Sequence, residues 1–149
     1  MNATVTAALG VVDYVVRRST RNLNLDLAPG LPIVKGNSQY LEQVVINLVR
    51  NACQALADID RAVTIATSFD ATNRVVALTV SDEGSGMDEE TCRKVLTPYF
   101  TTKGEEGTGL GLSICKNIVT LHHGSISIES EVGKGTAIRI TLPVTPAHV

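Results

Sequence analysis

Asp82-Glu83-Gly84-Ser85-Gly86-Met87 places a carboxylate directly before two glycines. A carboxylate accepts hydrogen bonds from an amino group, and glycine lets backbone approach a flat base or a phosphate with no Cβ in the way. Gly107-Thr108-Gly109-Leu110-Gly111-Leu112 is a second such cluster, and it leads into apolar residues of helical spacing. Free N–H groups at a helix start there would face anionic oxygens. Between the clusters lies Thr97-Pro98-Tyr99-Phe100-Thr101-Thr102-Lys103, a polar segment ending in a cation. Upstream, Asn47 and Asn51 stand four residues apart and share one helix face. The amide oxygen of Asn51 is a hard donor suited to Mg2+, an ion that keeps most of its hydration. Together these segments read as a nucleotide site with a lid over Thr97 to Thr108. Spacing excludes two other glycine signatures: no Gly precedes a Gly-Lys-Ser/Thr at the P-loop interval, and the Gly107 cluster reads G-x-G-x-G, not G-x-G-x-x-G.

Taken in order, the segments resemble the catalytic, ATP-binding domain of sensor histidine kinases, within the superfamily of DNA gyrase, heat-shock chaperone and mismatch-repair ATPases. The resemblance runs from about Leu31 to Leu142. Asn47 to Asn51 matches the N box, Asp82 to Met87 the first glycine box, Pro98 to Phe100 the F box and Gly107 to Leu112 the second glycine box. Gly133-Lys134-Gly135-Thr136 matches the third. The resemblance implies ATP and Mg2+ as the bound nucleotide and ion, with Asp82 as the base-selecting acid. It implies nucleotide contacts from Asn51, Gly84, Gly86, Met87, Lys103, Gly107, Thr108, Gly109, Leu110, Gly111, Leu112 and Thr136. Thr136 would share a water with Asp82 and the base. The catalytic residues it implies are Asn47 and Asn51, with Asn51 holding the metal.

Asn47 occupies the position where hydrolytic members of the superfamily carry a glutamate base. An amide cannot take a proton from water, so the substitution points to a phosphotransferase. Glu42, five residues earlier, is expected at the surface. Lys103 is a candidate γ-phosphate contact, and Arg50 a cation that is as easily only solvated. Phe100 reads as a hinge, a docking residue for a partner helix, or an ordinary core aromatic. His122 and His123 close the last long helix and read as helix-end cations. In the family the acceptor histidine sits on a separate dimerising hairpin, and no such segment precedes Leu23. The expected partner is therefore the dimerisation and histidine phosphotransfer domain of the same parent kinase, with a response regulator reached indirectly. Two alternatives stand beside this: a stand-alone serine kinase of the anti-sigma-factor type, and a nucleotide-sensing module that transfers nothing.

The frame for these residues follows from composition and periodicity. At 149 residues and 44% apolar content, the chain has material for one core. The expected division is an N-terminal helix or linker over 1–20 and the ATP-binding catalytic domain over 21–149, within a single globular unit. A formal charge of -2 gives no footprint for nucleic acid. Three cysteines without C-x-x-C spacing read as reduced core thiols of a cytoplasmic domain. No apolar stretch long enough to span a bilayer occurs, so no membrane contact is expected of this domain, although its parent could be membrane-anchored.

Helical spacing covers Val5 to Val16, Ser38 to about Asp58, and a segment starting near Gly109; a short helix is predicted from Asp88 to Leu96. Period-two alternation covers Leu23 to Leu27, Ala62 to Ser68, Arg74 to Ser81, Ile126 to Ile128 and Ile138 to Leu142. Alternation calls for a sheet wet on one side, unlike the continuous apolar strands of a doubly wound fold. The predicted fold is α/β (α+β): a two-layer α/β sandwich whose mixed, mostly antiparallel sheet is covered on one face by three helices. The family resemblance implies the same sandwich, the Bergerat-type ATP-binding fold.

Overall fold

The computed structural model of the chain describes residues 1–97 and 111–144. Its elements are α1 (Asn2–Ser19), β1 (Asn22–Leu27), α2 (Ser38–Ala55), β2 (Ala62–Asp70), β3 (Val75–Asp82), α3 (Glu89–Lys94), α4 (Gly111–Leu121), β4 (Ser125–Glu131) and β5 (Gly135–Pro143). The strands form one sheet in the order β1-β2-β3-β5-β4. β1 and β2 run parallel, as a connection through α2 requires, and every other neighbouring pair is antiparallel. Val63, Ile65, Leu78, Val80, Ile138, Ile140 and Leu142 project from the helix-bearing face into one core with the buried residues of α1, α2 and α4. Each fully buried Val, Leu or Ile there contributes about 1.5–3 kcal/mol relative to exposure. The mixed, mostly antiparallel sandwich is thus the architecture that the alternating strands predict.

α2 forms because Leu41, Val44, Val45, Leu48, Val49 and Ala52 make a continuous buried stripe, and Asn37 caps it by accepting from Tyr40 N at 3.1 Å. The helix stops at Ala55, three residues short of the predicted Asp58. Asp58 instead accepts from Asp60 N at 2.9 Å, and the Ala55 carbonyl is taken by Ser85 N at 3.2 Å. A local side-chain turn and a loop from elsewhere in the fold outcompete further helix.

α1 has a clear structural role that the sequence left open. Val5, Ala8 and Val12 are fully buried, and the helix packs along α2. Both of its ends are fastened to the sheet. Asn2 Nδ2 donates to Ala28 O at 2.7 Å while its Oδ1 accepts from Thr67 at 2.8 Å, and Thr20 Oγ1 donates to Arg61 O at 2.5 Å.

α4 lies beside α2, tied at the end remote from the glycine clusters by His122. Its Nδ1 hydrogen-bonds Ile118 O at 2.7 Å and its Nε2 accepts from Asn37 N at 3.0 Å. Only the neutral ring protonated at Nδ1 satisfies both bonds, so His122 is not the helix-end cation that its position suggests. His123 takes the left-handed conformation (φ 60), and Gly124 N returns to Val119 O at 2.9 Å to close the helix. Between β1 and α2, Val34 makes an isolated antiparallel bridge with Val144.

Candidate functional site

α2 positions the two asparagines. Asn47 and Asn51 are both half-buried on the α2 face adjoining the core stripe. Asn47 is held at both ends of its amide: Oδ1 accepts from Gln43 Nε2 at 2.8 Å, and Nδ2 donates to Gly111 O at 3.3 Å. The second bond joins the N box directly to the first residue of α4, where the second glycine box ends. Glu42 is half-buried, not at the open surface as expected, whereas Arg50 is exposed.

Cys115 lies in the same α2–α4 seam, fully buried, with Sγ 3.7 Å from Val44 O. Burial pushes its thiol up from 9.0 to about 12, against a lowering contact from Asn47. Because the folded pKa is raised, the unfolded chain loses this proton first as pH climbs. Stability is therefore full below about pH 9 and falls from there towards 12, by about 1.4 kcal/mol per pH unit for one group. Urea unfolding between pH 8 and about 10.5 should show this fall in the native chain and a shallower one in Cys115→Ala. Equal slopes would contradict it. The Cys53 thiol is raised as well, chiefly by burial, so part of the slope persists in the variant.

The sheet end presents the acid. Strand register puts Val63, Asp82, Thr136 and Ser130 side by side across β2, β3, β5 and β4, in a row on the helix-bearing face. Asp82 is half-buried, and its Oδ1 accepts from Gly84 N at 2.8 Å. Asp82 thus closes a turn onto its own glycines while standing at the end of β3, beside Thr136.

The first and third glycine boxes, far apart in sequence, form one piece of structure. Gly133 N donates to Ser85 O at 2.7 Å, and Met87 N donates to Ser130 Oγ at 2.8 Å. Gly86 (φ +71) and Gly135 (φ +124) both adopt conformations that favour glycine. A Cβ on Gly86 would overlap the Glu131 carbonyl, and one on Gly135 would overlap the Asp82 carbonyl. These glycines therefore serve first to bring loop and strand into contact. Gly84 is buried against the end of α2, where a Cβ would come within 2.6 Å of Ala55 O.

Of the predicted site residues, the structure brings Asp82, Gly84, Gly86, Met87 and Thr136 into one cluster, and it links Asn47 to Gly111. Leu112 is buried in the core at 6% exposure, which leaves its backbone as the part able to meet a ligand. Lys103, Gly107, Thr108, Gly109 and Leu110, with Phe100 and most of the predicted lid, lie outside the described residues. Sequence reasoning missed Ser130, a serine in an alternating strand, because only the register of β4 with β5 reveals its place beside Thr136. It also missed Gln43, although its spacing of four from Asn47 is a readable helix signal.

Among the described residues no group of three His, Cys, Asp or Glu side chains could cage a cation. The amide oxygen of Asn51 on the α2 face is a hard donor of the kind Mg2+ takes, since that ion binds through few protein ligands plus water and phosphate oxygens.

Residues 36–146 match the family described as histidine kinase-, DNA gyrase B- and HSP90-like ATPase. Sporulation kinase C of Bacillus subtilis is 40% identical over 112 residues, which are 75% of this chain and 25% of that protein. Sensor histidine kinase ZraS of Klebsiella oxytoca is 35% identical over 97% of this chain and 30% of its own length. The chain thus spans about a quarter of the length of these curated relatives. Among solved structures, the mycobacterial sensor histidine kinase MprB superposes with a TM-score of 0.84 at 26% identity, covering 99% of this chain and 96% of that one. The catalytic domain of histidine kinase ThkA gives 0.84 at 27%, covering 98% and 93%. The glycine-sealed sheet end, the paired asparagines of α2 and these likenesses agree: the chain belongs to the histidine kinase-, DNA gyrase B- and HSP90-like ATPase family.

Proposed function

We propose that this chain is the ATP-binding catalytic domain of a two-component sensor histidine kinase, which passes the γ-phosphoryl of ATP to a histidine on a separate dimerisation domain of the same parent. The observation that carries the reading is the cluster at the sheet end, where Asp82 and Thr136 stand side by side beneath a glycine-sealed loop, next to an α2 whose Asn47 is an amide. Asp82 accepts from the exocyclic amine of the adenine. The first N–H groups of α4, together with Lys103 and the Gly107 to Leu110 backbone, bind the phosphates. Asn51 would hold Mg2+, and the ion would supply charge neutralisation to the triphosphate. Asn47 gives both ends of its amide to Gln43 and Gly111 and takes no proton from water, so the acceptor is the partner's histidine nitrogen.

The test is incubation with labelled ATP and Mg2+, with the dimerising hairpin of the parent kinase supplied in trans. Label on the hairpin that is lost in acid is expected, since phosphohistidine is acid-labile. Acid-stable label would favour the serine-kinase reading, and nucleotide binding without any label on the acceptor would favour a nucleotide sensor. Without the hairpin, the chain should neither label itself nor release phosphate at a useful rate.

A further inference from the structure

The hydroxyl of Ser130 makes three contacts at once. It accepts from Met87 N at 2.8 Å, it donates to Gly135 O at 3.0 Å, and it lies 2.7 Å from Thr136 Oγ1. A serine hydroxyl has one hydrogen and two lone pairs. The Met87 N–H takes one lone pair, and the Gly135 carbonyl, which can only accept, takes the hydrogen. The remaining lone pair must then receive the Thr136 O–H. No other assignment keeps all three bonds.

The consequence falls on Thr136. Its hydrogen is committed sideways to Ser130, so its oxygen offers only lone pairs to anything bound above the sheet end. Its cross-strand partner Asp82 carries a carboxylate, which when ionised also only accepts. We infer that Ser130 is a positioning residue for base recognition: it fixes the Thr136 hydroxyl as an acceptor, so that Thr136 and Asp82 together favour a purine with a 6-amino group over one with a 6-oxo group. This rests on the nucleotide-site reading above and adds a residue to it. Ser130 acts through Thr136 and through the Met87 amide, with no contact to the base required of it.

ATP and ITP, both with Mg2+, are the probes, because they differ at the 6-substituent and the adjacent ring nitrogen while keeping the same ribose and triphosphate. Ser130→Ala frees the Thr136 hydroxyl to rotate and donate. The ratio of ITP to ATP dissociation constants, measured by calorimetric titration, should fall about tenfold, the worth of one hydrogen bond of the right polarity. Ser130→Thr keeps a hydroxyl and should keep the ratio. Thr136→Val should also lower the ratio, and adding Ser130→Ala to it should lower the ratio no further, since the residues act as one unit.

A Ser130→Ala variant that weakens ATP and ITP by the same factor, leaving the ratio unchanged, overturns the inference and reduces Ser130 to loop support. Additive losses in the double variant overturn it as well. If the native chain binds ATP and ITP equally and Asp82→Asn changes neither, the nucleotide-site reading itself fails, an outcome distinct from failure at Ser130 alone.

Discussion

Asp82→Asn is expected to weaken ATP binding about ten- to a hundredfold while leaving the fold in place. Replacing a carboxylate acceptor by a neutral amide removes a charge-assisted hydrogen bond to the exocyclic amine, worth about 1.5–3 kcal/mol. The fold survives because Oδ1 of Asp82 accepts from Gly84 N at 2.8 Å, and an asparagine keeps an oxygen at that position. The Gly86 and Gly135 contacts that seal the loop are backbone contacts and are untouched by the change. Calorimetric titration measures the affinity, and circular dichroism with a thermal unfolding curve checks the fold. Unchanged affinity in a folded variant would remove Asp82 from the base site.

The second large effect is expected at Asn51. Asn51→Ala deletes the hard oxygen donor of the α2 face, and transfer of label to the parent's dimerising hairpin should fall by on the order of a hundredfold or more, the scale of losing one preorganised electrostatic contact. ATP should still bind, because Asp82, Thr136 and the glycine-loop backbone remain. The informative readout is therefore transfer rate set against affinity, with the unfolding midpoint measured alongside to separate loss of chemistry from loss of structure. Raising Mg2+ concentration should recover part of the rate if the defect lies in holding the ion. A variant that transfers at the native rate would take Asn51 out of the catalytic role.

Most of the frame was legible. Alternation in Leu78-Thr79-Val80 and Ile138-Arg139-Ile140-Thr141-Leu142 marks strands with one buried face, because a strand's side chains project with period two. The stripe from Leu41 to Ala52 marks a helix for the corresponding reason at period 3.6. Element ends were less legible. α2 stops at Ala55 because Ser85, thirty residues on in sequence, claims its carbonyl, and nothing near Ala55 announces that.

The sequence by itself determined which chemistry is available: an acid before glycines at Asp82, paired amides at Asn47 and Asn51, and an amide in place of a glutamate base. Those are properties of side chains and spacing, and they hold wherever the segments end up. Only the tertiary structure decided which groups meet and with what polarity. Strand register set Thr136 between Asp82 and Ser130, and Met87 and Gly135 then fixed the direction of the Ser130 hydroxyl. The packing of α4 on α2 took His122, a cation by its place in sequence, and made it a neutral joint between Ile118 and Asn37. Hydrogen-bond direction depends on every neighbour of a group at once, and those neighbours come from strands and helices that are distant along the chain.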